Sequence, residues 1–160
     1  MDISVRDIGP GDLPVVTRVI TESWGGTTLM VLGGGKEVDV VELPGFIAEA
    51  EGEVAGILTY VEEGGEVEVA SLNAVLPGRG AGRALLDAVR AVAAGRGMTR
   101  LWLVTTNDNT HALRFYQRYG FDLVALHRNA MDRVRAVKPD IPAESDGIPI
   151  RHELELELRL

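Results

Sequence analysis

Two segments of this 160-residue chain carry residue types at a spacing that could do chemistry. The first is Val75-Leu76-Pro77-Gly78-Arg79-Gly80-Ala81-Gly82-Arg83. A strand pattern ends there, glycines turn the chain, and a helical pattern begins. The first N–H groups of a helix have no intrahelical partner, and glycine lets anion oxygens approach them closely, so such a run can cradle phosphate. The glycines do not fit the dinucleotide fingerprint, because Arg83 stands where a third glycine is needed. No Gly-Lys-Ser/Thr follows, which removes the P-loop. Taken alone, the glycines fit a plain strand-to-helix turn equally well. The second segment is Thr105-Thr106-Asn107-Asp108-Asn109, which follows a strand and opens a helix carrying Ala112, Tyr116, Gly120 and Phe121. Spacing alone makes Tyr116 a core residue on the stripe of Ala112, Phe115 and Tyr119.

These segments need a frame of strands and helices. Ile3 to Ile8 reads as a strand ended by Gly9-Pro10-Gly11, and Asp12 is placed to cap a helix that runs to Ser23. Thr28 to Leu32 and Val38 to Val41 look extended and form a loose hairpin. Phe46 to Ala50 and Val54 to Val61 are strands. Val67, Val69, Ser71, Asn73 and Val75 alternate, which places them on one strand face. Gly80 to Ala94 is an amphipathic helix, with Leu85, Val89 and Val92 on its apolar side. Leu101 to Thr106 is an apolar, central strand. Asp108 is expected to cap the next helix, Gly120 stops it, and Phe121 to Leu126 is a strand. In the last strand Leu154, Leu156, Leu158 and Leu160 alternate with Glu153, Glu155, Glu157 and Arg159, so one face is expected to be buried and the other solvated. With no repeat and no composition shift, residues 1–160 read as one α/β domain in which part of the sheet is parallel.

Composition excludes several functions. A formal net charge of −8 argues against a nucleic-acid partner, whose binding rests on Lys and Arg neutralising phosphates. It leaves room for a small anionic ligand at a local positive site. The chain has no cysteine, which removes disulfides, thiolate metal sites and a Cys nucleophile together. His111, His127 and His152 lack metal-ligand spacing and read as surface or packing residues, so no metal is expected. No apolar run is long enough to span a bilayer, and Met1 to Ile8 lacks a signal-peptide core, so no membrane partner and a cytoplasmic location are expected.

Together the two segments resemble the GNAT superfamily of acyl-CoA-dependent N-acetyltransferases. Those proteins share a G-x-G turn into a helix, here Gly80-Ala81-Gly82, followed by N-x-x-A-x-x-x-Y-x-x-x-G-F, here Asn109 to Phe121. The resemblance covers Ile3 to Leu126 in element order and is specific over Val67 to Phe121. It implies a mixed, partly antiparallel central sheet of about seven strands flanked by about four helices. It also implies acetyl-CoA as co-substrate and direct acetyl transfer to an amine acceptor, a small molecule or a peptide. One departure is Pro77, where relatives carry Arg or Gln. The pyrophosphate cradle is therefore expected from the backbone of Arg79, Gly80, Ala81, Gly82 and Arg83, with the two arginines adding charge. By the same resemblance, the backbone of Asn73, Ala74 and Val75 pairs with the pantetheine arm, and Asn109 touches the arm or orders the next helix. Tyr116 protonates the leaving thiolate. Glu68, opposite Val67 and Val69, is the candidate base for the acceptor amine. The alternative for Glu68 is a solvated residue in the acidic stretch with Glu62, Glu63 and Glu66. Two rival functions are a non-catalytic acyl-CoA binding module and a nucleotide-binding protein; the absent P-loop lysine weakens the second.

The excursion 128–150, between the last two strands, is longer than family members commonly show. Asn129 to Val137 reads as a short helix. Pro139, Pro142, Gly147 and Pro149 make the remainder irregular, while Met131, Ile141, Ile148 and Ile150 give it surface to bury. It is expected to wall the acceptor side, to form a homodimer contact, or to cover a sheet edge.

Overall fold

The computed structural model describes residues 2–160. Among them the chain runs β1 (Ile3–Asp7), α1 (Leu13–Trp24), β2 (Thr28–Val31), β3 (Lys36–Asp39), β4 (Gly45–Ala50), β5 (Glu53–Glu63) and β6 (Glu66–Ala74). It continues with α2 (Ala81–Gly95), β7 (Arg100–Thr106), α3 (Thr110–Tyr119), β8 (Asp122–His127), α4 (Ala130–Val137), β9 (Glu144–Ser145), β10 (Ile148–Pro149) and β11 (Glu153–Arg159). Seven strands form one sheet in the order β1-β4-β5-β6-β7-β11-β8, and β2–β3 and β9–β10 are separate hairpins. The mixed α/β sheet of seven strands and four α-helices expected from the sequence is the one observed.

Strand alternation sorts the core into two layers. Leu58 and Tyr60 of β5 and Phe46 and Ala48 of β4 pack with Leu85, Leu86 and Val89 of α2 and with the aromatic side of α3. Their neighbours Ile57 and Ile47 point the other way, against Val16, Val19 and Ile20 of α1. Successive strand side chains face opposite sides, so α2 and α3 cover one face of the sheet and α1 the other. Leu156 and Leu158 of β11 join the α2 layer. The opposite face of β11 is less solvated than its glutamates suggest. Arg100 Nη1 donates to Glu157 Oε1 at 2.9 Å and Arg100 Nη2 to Glu155 Oε2 at 2.9 Å, and His127 Nε2 lies 2.8 Å from Glu155 Oε1.

Two local features shape the centre. All neighbouring strands of the sheet run antiparallel except β6 and β7. A parallel pair needs a long crossover, and α2 supplies it. The β6–β7 ladder stops at Glu68↔Trp102, although β6 continues to Ala74 and β7 to Thr106. The two strands therefore splay. Just beyond that point β6 bulges: Val69 pairs with Tyr60 and Ser71 with Thr59, leaving Ala70 between them. An extra residue moves every later side chain to the other face. Ser71 and Asn73 thus do not share a face with Val67 and Val69; the Ser71 hydroxyl instead meets Thr59 Oγ1 at 2.6 Å.

Candidate active site

The glycine loop turns the chain from β6 into α2. Gly78 and Gly80 take φ of +76° and +77°, the left-handed region that glycine occupies without strain. Gly80 is the N-cap of α2, and no side chain caps that helix. The N–H groups of Ala81, Gly82 and Arg83 have no acceptor inside the helix, and the positive end of the helix dipole lies among them. Gly82 has a second reason to be glycine. A Cβ there would come within 3.0 Å of the Phe115 ring, so α2 and α3 meet at this point.

Between those helices lies a groove of about 350 Å³ lined by Arg83, His111, Arg114, Phe115, Arg118 and Tyr119. In an acidic chain this is a concentration of basic groups. Arg83 stacks over the Tyr119 ring at 5.8 Å, and the Tyr119 hydroxyl donates to Asp87 Oδ1 at 2.6 Å. His111, Arg114 and Arg118 were not expected as site residues, although their three- and four-residue spacing on a helix puts them on one side.

The other face of the sheet holds a cleft of about 780 Å³. Its floor includes Ala70 at the bulge, Val104, Thr106 and Glu153; the end of α1 and β2 form one wall. Met131, Val134 and Val137 of α4, with the following residues to Pro142, form the other. This wall is the excursion 128–150, and polar bonds hold it in place. Lys138 Nζ donates to Trp24 O at 3.1 Å, and Arg133 Nη2 to Gly33 O at 3.4 Å. Asn107 ties its far end: Nδ2 donates to Pro149 O at 2.8 Å, and Oδ1 accepts from Arg151 N and His152 N at 2.9 Å each. Its second half is less irregular than expected, because β9 and β10 pair.

The remaining expected residues fall as follows. Asn109, not Asp108, caps α3, its Oδ1 accepting from Ala112 N at 3.2 Å. Asp108 lines the cleft, and its Oδ1 is buried without a hydrogen-bond partner. Asp12 occupies the N-cap position of α1 without capping it. Its carboxylate accepts instead from Gly9 N and Arg6, which hold it down to about 2. Asn73 donates from Nδ2 to Ser23 Oγ at 2.8 Å, and its Oδ1 is likewise buried and unpartnered. Ala74 ends β6. Val75 donates its N–H to Ala55 O at 2.8 Å, so it has only a carbonyl to offer a ligand. Tyr116 packs edge-on against Phe115 and Phe121 at 5.4 and 5.6 Å. Burial pushes its hydroxyl up to about 12, and it lines neither cavity.

Glu68 is not solvated. It is 2% exposed, sealed under the β2–β3 hairpin, where Leu32 N donates to its Oε1 at 2.7 Å. Loss of water, with smaller repulsion from Glu153 and Glu155, pushes it up to about 7 against the pull of Leu32 N–H and Arg100. Glu153 reaches the cleft where Glu68 does not. Burial raises it as well, against the pull of His127 and Arg133.

The structure thus combines a sheet parted at one parallel pair, an uncapped helix start beside the gap and a basic groove in one α/β fold. Residues 36–121 match the model of the Acetyltransferase (GNAT) family. The chain is 36% identical over 148 residues to the uncharacterized protein YxbD of Bacillus subtilis (strain 168), spanning 92% of this chain and 91% of that protein. Its fold matches the IAA acetyltransferase from Bacillus cereus ATCC 14579 with a TM-score of 0.71 at 20% identity, over 99% of this chain and 100% of the other. A GNAT family acetyltransferase from Elizabethkingia anophelis with acetyl-CoA bound matches with a TM-score of 0.69 at 18% identity, over 99% and 98%. The chain belongs to the GNAT acetyltransferase family.

Proposed function

We propose that this protein transfers the acetyl group of acetyl-CoA to an amine acceptor by direct transfer in a ternary complex. The observation that carries the reading is the end of the β6–β7 ladder at Glu68↔Trp102. Beyond it the two strands part between a helix start suited to an anion on one face and the cleft on the other.

The residues present fit acetyl-CoA. The N–H groups of Ala81, Gly82 and Arg83 take the pyrophosphate with no help from Pro77, and Arg79 and Arg83 add charge. Arg114 and Arg118, lining the groove with Arg83, give the remaining phosphate a basic wall. Asn73, Ala74 and the Val75 carbonyl lie along the gap for the pantetheine amides, and Asn109 orders α3 beside them. The bound thioester supplies an activated acyl group. Without a cysteine there is no thiol to form a thioester enzyme intermediate, which favours direct attack. Tyr116, neutral at every physiological pH because burial holds its hydroxyl up to about 12, keeps a proton to give the leaving thiolate. Glu68, near neutrality at about 7, is matched to receiving a proton relayed from the acceptor.

Ligand linkage tests the reading, because a molecule that binds the folded state raises its melting temperature. Saturating acetyl-CoA is expected to raise the melting temperature, and amines are expected to release free CoA thiol. An unchanged melting temperature overturns the reading. A shift without thiol release leaves a non-catalytic acyl-CoA binding module.

A further inference from the structure

The cleft on the α1 face selects by chemistry. Its charged lining is Asp108, Lys138, Asp140 and Glu153. Lys138 donates to the carbonyl of Trp24, another lining residue, so three carboxylates stand against one engaged ammonium. The two buried side-chain atoms without a hydrogen-bond partner among the described residues are Asp108 Oδ1 and Asn73 Oδ1. Asp108 lines the cleft, and Asn73 is joined to it through Ser23, which lines it too. Both atoms are acceptors. Buried polar groups are nearly always paired, so Asp108 in the cleft is an acceptor still without its donor. An ammonium supplies three donors and no acceptor. Much of the uncharged lining is apolar, with Leu29 and Met30 on one side and Met131, Val134 and Ile141 on the other.

Resting on the acetyl-transfer reading above, we propose that the acceptor is a small primary amine on an apolar body without a carboxylate of its own, and that Glu153 and Asp108 hold its ammonium. Glu153 stands on the floor beside the splayed end of β7, paired in register with Thr106. It therefore places the nitrogen next to the gap where the thioester is expected. Met131, Val134 and Ile141 take the apolar body, which is why the excursion 128–150 is long. A carboxylate on the substrate would meet Asp108, Asp140 and Glu153, with only the Lys138 ammonium in the lining, already bonded to Trp24 O, to offset them.

The test uses the full chain with saturating acetyl-CoA and four acceptors: 2-phenylethylamine, L-phenylalanine, ethanolamine and a short alanine-initiated peptide. Thiol release is expected to give kcat/KM for 2-phenylethylamine at least about tenfold above the other three. Glu153→Gln is expected to raise its KM roughly tenfold by removing a charge-assisted bond, with the melting shift from acetyl-CoA unchanged. Asp108→Asn gives a second reading if Glu153→Gln does not fold. Equal or better use of L-phenylalanine, ethanolamine or the peptide overturns the inference. So does an unchanged KM in both variants, or bound acetyl-CoA with no amine acetylated. Failure of acetyl-CoA to bind at all sinks the acetyl-transfer reading instead.

Discussion

The groove between α2 and α3 is basic and bordered by backbone donors, with Arg83, Arg114 and Arg118 in its lining. The cleft across the sheet is acidic and apolar, with Asp108 and Glu153 among hydrophobic side chains. They differ in how they are made as well as in charge. The first needs one loop, one helix start and one neighbouring helix, all close in sequence. The second needs the end of α1, a hairpin strand, the parted sheet and an excursion. Two of the bonds that hold that excursion span 114 and 100 residues. A polyanionic ligand needs charge and backbone in a fixed place, whereas a particular acceptor needs a shaped wall. On the proposed function, the wall is the part free to differ between acceptors.

The largest expected effect falls between the two regions. Tyr116 lines neither cavity, so Tyr116→Phe should spare both ligands and impair the chemistry. Turnover is expected to fall on the order of ten- to a thousand-fold, with acetyl-CoA affinity and acceptor KM little changed. Steady-state kinetics beside a binding titration checks this. Equal turnover in variant and wild type would make Tyr116 an aromatic packing partner of Phe115 and Phe121.

A smaller effect tests whether the regions are independent. Arg114→Glu with Arg118→Glu reverses charge in the groove alone. The Kd for acetyl-CoA is expected to rise roughly tenfold or more, and to lose much of its salt dependence, while acceptor KM holds. Calorimetric titration at two salt concentrations measures it. If acceptor KM moves as much as Kd, the two sites are coupled and the division between them is wrong.

That division also decides what the sequence makes legible. Gly78, Gly80 and Gly82 and the Asn109-to-Phe121 spacing announce themselves, because turn conformation and helical period are local. The order of strands and helices follows from the same kind of signal, whereas the mixed sheet of about seven strands was implied by the resemblance. The Ala70 bulge does not, because Val69, Ser71 and Asn73 continue the alternation as if nothing intervened. Only pairing with β5 shows that Val69 meets Tyr60 and Ser71 meets Thr59. The Asn109 cap was displaced by one residue onto Asp108, since either side chain can cap and tertiary packing chooses. Asn107 had no signal at all. Its three bonds to the 149–152 segment exist only after the chain has returned past it. Helical spacing puts Arg114 and Arg118 on one side of α3, but that this side borders a groove with Arg83 follows only from the packing of α2 against α3.

The smallest effect concerns Glu68, which the acidic stretch around it made look solvated and the β2–β3 hairpin buries. Its carboxyl sits at about 7 in the folded protein against an ordinary 4.5. Between those values the unfolded chain has released the proton while the folded chain keeps it. The folded state binds more protons there, so stability is full below 4.5 and falls as pH rises towards 7. Glu68→Gln removes the ionisation and keeps an oxygen to accept the Leu32 N–H. Melting curves of the two proteins should converge near about pH 4 and separate by about pH 8, with the variant higher. Parallel curves would mean that Glu68 ionises in the fold without penalty. The same variant reports on chemistry. If Glu68 receives a proton relayed from the acceptor, the pH dependence of kcat/KM should move upward in Glu68→Gln. If the stability slope disappears and the rate profile stays where it was, Glu68 belongs to the hairpin's anchorage, and Glu153 is left as the carboxylate that meets the amine.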